Sequence, residues 1–269
     1  MAAQVKTAAK FFKKYPAIEI IIFSVVIILL VWLVARGSER LGYHWQWYRI
    51  PQYIIHVKDG TLTIGPLLEG LIVTLHITGV SLILAFACGL TAAIFRLSHS
   101  FLARAVARIY LETIRNTPLL VQIFFVYFVL SPILGINRFA SAVMALSLFE
   151  GAYASEIIRA GIISVHTGQW EAGRSLGMDH FQTYFYIVLP QAVRRILPPL
   201  TGQAVSLVKD SALVSTIAIY DLTMQGQAII AETYLTFEMW FTIAAIYLAL
   251  ALTLSRVVAY FEKRYRVVS

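Results

Sequence analysis

Gly161-Ile-Ile-Ser-Val-His166-Thr-Gly-Gln169-Trp-Glu171-Ala172-Gly173-Arg-Ser-Leu-Gly177-Met-Asp179-His-Phe-Gln-Thr-Tyr-Phe-Tyr-Ile187-Val-Leu189-Pro190 stands between two apolar runs, yet it is polar and thirty residues long. A connection of that length in a compact chain needs structure of its own. Gln169 to Leu176 consists of helix-tolerant residues, with Glu171 early in the run, where a negative charge complements a helix dipole. Gly177 accepts a left-handed conformation at no steric cost and so can end that turn. Asp179 can start a second turn by accepting a backbone N–H bond. Pro190 opens the apolar run that follows, where a missing N–H costs least. The segment predicts a rigid helical knob rather than a floppy loop. Gly173 and Gly177 also have the small-xxx-small spacing of helices packed in lipid, but their place in a polar loop argues against that role.

Outward from the knob the chain is apolar. Of its 269 residues 59% are hydrophobic and 13% charged, with a mean hydropathy of +0.75. Soluble domains carry roughly twice that charge fraction. Ile18 to Ala35 holds one charge, Glu19, in eighteen residues, close to the roughly 20 apolar residues that span a bilayer as helix. The alternation of β-barrel strands is absent from the sequence pattern. Six spanning helices are predicted, at 18–35, 66–94, 109–130, 139–160, 191–213 and 237–259. The first run follows Lys6, Lys10, Lys13 and Lys14 as a signal peptide would, but it is too long and ends without a small-residue cleavage site, so it reads as a retained helix. A single cysteine, Cys88, allows neither an internal disulfide nor a cysteine metal site.

The net charge of +8 suggests nucleic acid in a soluble protein. Here the basic residues mark topology instead. With the N-terminus inside, the segments 1–17, 95–108, 159–195 and 260–269 carry fourteen Lys and Arg, and the opposite side carries five. That bias places both termini in the cytoplasm of a multi-pass protein. Tyr43-His44-Trp45-Gln46-Trp47-Tyr48, in the first outer loop, reads as an interfacial aromatic belt.

The pattern Glu171, Ala172, Gly177, Ile187, Leu189 and Pro190 resembles the signature loop of permease subunits of ABC importers. Gly173 departs from it, standing where that family usually has Ala. Glu112-Thr-Ile-Arg115-Asn116-Thr117-Pro118-Leu119-Leu120-Val121-Gln122 is similar to the third-helix block of the polar amino acid (histidine, glutamine, arginine) permeases. Ala152 to Gly161 and Lys209 to Leu213 resemble two further blocks, so the likeness covers about residues 64–262. It implies an all-α integral membrane protein of six transmembrane helices. Residues 66–269 would form a type I ABC-importer permease-like core with a cytoplasmic coupling loop, 161–190, that includes Gln169. Residues 1–65 would add an extra helix and the aromatic loop. It also implies a second permease subunit, two ATP-binding cassette subunits, an extracytoplasmic amino-acid-binding protein, and residence in a bacterial inner membrane. No Gly-x-x-x-x-Gly-Lys-Ser/Thr phosphate loop occurs in the sequence, so ATP would act through a partner and this chain would hold no cofactor and catalyse no reaction. The alternative is a secondary transporter or channel subunit for small polar solutes. It calls for two similar halves, broken helix pairs or a run of pore-lining charges, none of which the sequence displays.

Ionisable residues within the apolar runs ask for a reason, since a central charge costs about 2.5–3.5 kcal/mol on insertion scales. Glu150 has Ser147, Gly151 and Ala154 on its flanks, a small face expected to line a partner subunit or a substrate cavity. Glu150 either binds a substrate ammonium or guanidinium, or it is a buried structural acid. Arg115 and Gln122, seven residues apart, are expected to share a face, with Glu112 neutralising Arg115. Gln122 bonds either substrate or a neighbouring helix. Gln203, Ser206 and Asp210 recur at spacings of three and four. Lys209 is adjacent, and Pro198 and Pro199 predict an unwound or kinked segment. Lys209 and Asp210 serve substrate, or pair with each other or another subunit. Glu156 and Arg159, at i and i+3, suit loop packing or gating. The six histidines are scattered, and no metal site is expected.

Overall fold

The computed structural model describes residues 16–40, 42–58 and 61–265. Lys6, Lys10, Lys13, Lys14 and Arg266 lie outside the described residues. The chain divides after Trp47 into two units. The first contains α1 (Pro16–Arg40), apolar on every face over Ile20 to Val34, which is the mark of a helix solvated by lipid. The Arg36 guanidinium lies 5.1 Å from the Trp32 ring. Trp45 stacks on Trp47 at 5.8 Å, and Tyr43 meets Trp45 edge-on.

The second unit begins with short elements: α2 (Pro51–Ile54), then strands β1 (Ile55–Lys58) and β2 (Thr61–Ile64), antiparallel with His56 opposite Thr63. This hairpin is an exception to an all-helical reading. Ile50 is buried with Leu67 and Leu222, so the approach to the first long helix belongs with the second unit. That helix is α3 (Pro66–Leu97), with Pro66 in its first turn. At 1.5 Å per residue it is roughly 48 Å long, more than the roughly 30 Å hydrocarbon core requires.

Next come α4 (Phe101–Arg115) and α5 (Leu119–Phe124). A π-helical stretch, Phe125–Leu130, leads into α6 (Ser131–Leu134). The expected straight span 109–130 is corrected here, because the chain bends by 108° between Arg115 and Leu119. Pro118 lacks an N–H and disfavours helix at Thr117, so α4 ends before it. Arg115 and Gln122 consequently do not share a face.

α7 (Arg138–Ile163) packs along α3 through small residues. A Cβ on Gly89 would stand 2.7 Å from that of Ala154, and one on Gly151 would stand 2.9 Å from that of Cys88. Small side chains let helices approach closely where lipid offers no hydrophobic drive. The knob contains α8 (Thr167–Ser175) and α9 (His180–Thr183). A π turn, Tyr184–Val188, then joins α9 to α10 (Leu189–Asp210). Pro190 therefore does not begin a separate span. It lies inside one helical run from His180 to Asp210, just after the π turn that loosens the ladder where its N–H is missing. The helix also continues through Pro198 and Pro199, so no segment is unwound there.

A 3-10 stretch, Ser211–Ile217, follows. The region between the expected spans 191–213 and 237–259 holds α11 (Leu222–Thr233), capped by Asp221 accepting from the Met224 N–H at 2.9 Å. Its Leu222 and Ile229 pack with Leu67, Leu235 and Met239. α12 (Thr236–Tyr265) closes the chain. Among the described residues four helices are long and apolar enough to cross a membrane, or five if the bent pair counts as one span. α10 is not among them, because Arg194, Arg195, Lys209 and Asp210 interrupt it.

Candidate functional site

Glu150 sits mid-way along α7 and is 3% exposed. Gln203 of α10 donates Nε2 to Glu150 Oε2 at 3.0 Å, and the Asp210 carboxyl faces that of Glu150. Gln203 and Asp210 are two helical turns apart on one face of α10, so one helix delivers both to the same carboxylate. An amide and two carboxyls, Glu150 buried and Gln203 and Asp210 half-buried, form an acceptor-rich spot. Its chemistry suits an ammonium, a guanidinium or neutral donors.

The other residues singled out near it lie elsewhere. The Ser147 hydroxyl turns to α3 and donates to the Ser81 carbonyl at 3.3 Å. Ser147, Gly151 and Ala154 are all buried, and the face holding Gly151 and Ala154 meets Cys88 and Gly89. That face lines α3, not a cavity or a partner, because its small side chains permit close helix approach. Gln122 braces the bend: its Nε2 lies 2.7 Å from the Ile114 carbonyl and 3.0 Å from that of Thr117, carbonyls that the helix break leaves without their usual donors. Its Oε1 is buried without a hydrogen-bond partner among the described residues. Lys209 is exposed, next to Asp210, with no carboxylate within 4.0 Å among the described residues.

The knob forms as its local chemistry dictates. His166 Nδ1 accepts from the Gly168 N–H at 3.0 Å and starts α8. The helix begins before Gln169, so Glu171 falls beyond the first turn, where its effect on the helix dipole is small. Gly177 has φ +76°. The Gly177 N–H donates to the Arg174 carbonyl at 2.9 Å and the Met178 N–H to the Gly173 carbonyl at 3.1 Å, the paired bonds of a Schellman turn. Asp179 then accepts from the Gln182 N–H at 2.7 Å, and Gln182 Oε1 accepts from the Asp179 N–H at 3.0 Å, a reciprocal capping box. Gly173 lies against the second arm. A Cβ there would meet Thr183 at 2.7 Å and Ile187 at 3.1 Å, which accounts for glycine at that position. Trp170 stacks on His180 at 5.0 Å, and Gln191 donates to Gln169 at 3.1 Å. Ala172 and Glu171 are exposed on α8, and Leu176 and Phe181 expose 78% and 68% of their surface beside the turn.

At the knob end of α7 one carboxylate serves three cations. Glu156 meets Arg96 at 2.5 Å, Arg159 at 2.6 Å and Arg115 at 3.6 Å. Arg115, expected to pair with Glu112, turns instead to Glu156 and to the face of Tyr153 at 5.5 Å, because α4 packs across α7. The sequence offered Arg96 only as a topology charge, with no signal of this pairing. A second polar cluster, Thr74, Asp221 and Tyr247, also escaped notice: Thr74 accepts from the Leu222 N–H at 3.2 Å and Tyr247 donates to Asp221 at 3.3 Å. Asp221 before Leu222 was its one legible sign, as a helix cap. Among the described residues no three His, Cys, Asp or Glu side chains gather as a metal site.

Long apolar helices, a rigid knob and a polar spot between two of the helices define a helical membrane-transport subunit. The family described as the binding-protein-dependent transport system inner membrane component matches residues 85–267, and the chain belongs to that family. It is 38% identical over 204 residues to the glutamine transport system permease protein GlnP of Escherichia coli (strain K12), covering 75% of this chain and 93% of that protein. It is 43% identical over 166 residues to the L-cystine transport system permease protein TcyB of Bacillus subtilis (strain 168), covering 61% and 71%. A crystal structure of an amino acid ABC transporter with histidines matches with a TM-score of 0.70 at 41% identity, covering 74% of this chain and 94% of that one. The chain is thus an ABC-importer permease subunit of the inner membrane. ATP hydrolysis belongs to a separate subunit, and a secondary transporter or channel is not favoured.

Proposed function

We propose that the chain carries a polar amino acid inward as one of two permease subunits, above two ATP-binding cassette subunits and beneath an extracytoplasmic binding protein. The names of its relatives support an amino acid as cargo. Six spans are proposed, with the bent pair α4–α6 and the polar α10 each counted as one. Residues 66–269 form the permease domain, after an N-terminal part, 1–65. The Lys and Arg bias supports cytoplasmic termini and a cytoplasmic knob. The chain holds no cofactor of its own, and ATP acts through the partner.

One observation carries the mechanism: the helical run from His180 to Asp210 is unbroken. It joins the knob to Gln203 and Asp210, the two residues that face Glu150. Gln169, Glu171, Ala172, Gly173 and Gly177 form the surface and turn that the ATPase engages. Ile187, Leu189 and Pro190 pass its motion into α10. Glu150, with Asp210, receives the ammonium or guanidinium of the substrate, and Lys209 offers a counter-charge for a carboxylate. Ser147 and Gln122 hold the surrounding helices in register. The test is the composition of the gently solubilised complex. An ATP-binding subunit should co-purify together with an amino acid identified by mass spectrometry, and isolation of this chain alone from intact membranes would count against the assembly.

A further inference from the structure

Where α4 crosses the ends of α3 and α7 there is a cavity of about 520 Å³, whose wall includes Arg96, Arg104, Arg108, Arg115, Glu112 and Glu156. Arg159 also lines it, so five guanidiniums face two carboxylates. Glu156 is already committed to Arg96, Arg159 and Arg115. Arg104 and Arg108 are exposed and have no carboxylate within 4.0 Å among the described residues. They stand one turn apart on α4, and Arg115 follows two turns on, along the same face. The cavity therefore keeps a surplus of positive charge in a concave wall.

The opposite face of α4 is apolar and open: Leu102, Val106 and Ile109 are 72%, 50% and 67% exposed. The first half of α4, with bare aliphatic residues on one side and arginines on the other, lies at the membrane–water boundary where the bent span begins. We infer that this cavity binds a phosphate group, with Arg104 and Arg108 as its principal ligands and Arg115 behind them. Guanidinium forks match phosphate oxygens two at a time, and basic pockets between helices hold lipid head groups. An anionic lipid and free phosphate share this chemistry. Glu112, on the same wall, opposes either one. The site is separate from the Glu150 spot and from the knob's turn.

The test is native mass spectrometry of the purified permease–ATPase complex, titrated with dioleoylphosphatidylglycerol and, separately, with inorganic phosphate. One anion per permease chain is expected. R104Q/R108Q should weaken it about tenfold or more, while E112Q should tighten it. Phosphatidylglycerol retained without a response to inorganic phosphate identifies a lipid head group, and displacement of the lipid by inorganic phosphate identifies the free anion. Binding of both probes by R104Q/R108Q at the unaltered strength overturns the inference, as does weaker binding by E112Q. If R104Q/R108Q does not assemble, E112Q alone decides.

Discussion

Glu150 is held between α7 and α10 by Gln203 and faces a second carboxyl, that of Asp210. A buried acid so placed gains most when a cation arrives. Glu150→Gln keeps the shape and the hydrogen-bonding reach but removes the charge. Uptake should fall about tenfold or more, the loss of one charge-assisted hydrogen bond, while expression and complex assembly stay normal. Normal transport by this variant would remove the substrate role, and joint loss of assembly and transport would make Glu150 structural. Glu156 differs in kind. It neutralises three arginines at a partly exposed position, so Glu156→Gln should lower thermal stability of the purified complex by about 1 kcal/mol, the upper end for exposed pairs. An unchanged melting temperature would show that solvent already screens the cluster. Which residues would meet was legible only in part. Glu150 and Asp210 stand out as charges in apolar runs, and Gln203 shares a face with Asp210. Their convergence from distant parts of the sequence depends on how α7 and α10 cross, which no local pattern encodes. The expected Glu112–Arg115 pair is local, whereas Arg115 meets Glu156 and Tyr153, which only the crossing of α4 and α7 brings near.

The knob is the element most fully legible beforehand, because caps and turns are short-range chemistry. Gly177 and Asp179 take the conformations that their residue types favour. Gly177 has φ +76° with open space around it, so substitution strains the backbone without causing a clash. Gly177→Val should cost about 1–3 kcal/mol of local strain, leave the spans inserted, and uncouple hydrolysis from uptake. Gly177→Asn should largely restore coupling, since Asn tolerates the left-handed region. If Val there imports at the normal ratio of substrate to ATP, the turn has no part in coupling. The lever from the knob has its own test. Val193→Gly with Arg194→Gly places two glycines on exposed positions of α10, each costing about 1 kcal/mol of helix stability. Substrate binding should persist while the transport-to-hydrolysis ratio falls, and an unaltered ratio would mean that force reaches the site by another path. α11 escaped detection for the converse reason. It is short and surrounded by mixed residues, and it owes its stability to packing on Leu67 and Met239 rather than to a pattern of its own.

At the scale of the whole molecule, composition and charge already required a membrane protein, and the spacing from Glu171 to Pro190 pointed to its family. The architecture inside the bilayer was less accessible. Long apolar runs announce α1, α3, α7 and α12, but a hydropathy pattern is blind to a 108° bend and to a long helix interrupted by charges. On the proposed mechanism, motion at the knob, driven by a partner's ATP hydrolysis, moves an amino acid past Glu150. The most direct measurement is uptake of labelled glutamine, cystine and histidine into proteoliposomes. These should contain the purified complex and its binding protein, with ATP and ion gradients varied separately. Accumulation of one of these amino acids should require ATP, should persist without any ion gradient, and should stop in Gly177→Val while hydrolysis continues. Accumulation driven by a proton or sodium gradient in the absence of ATP would contradict the account.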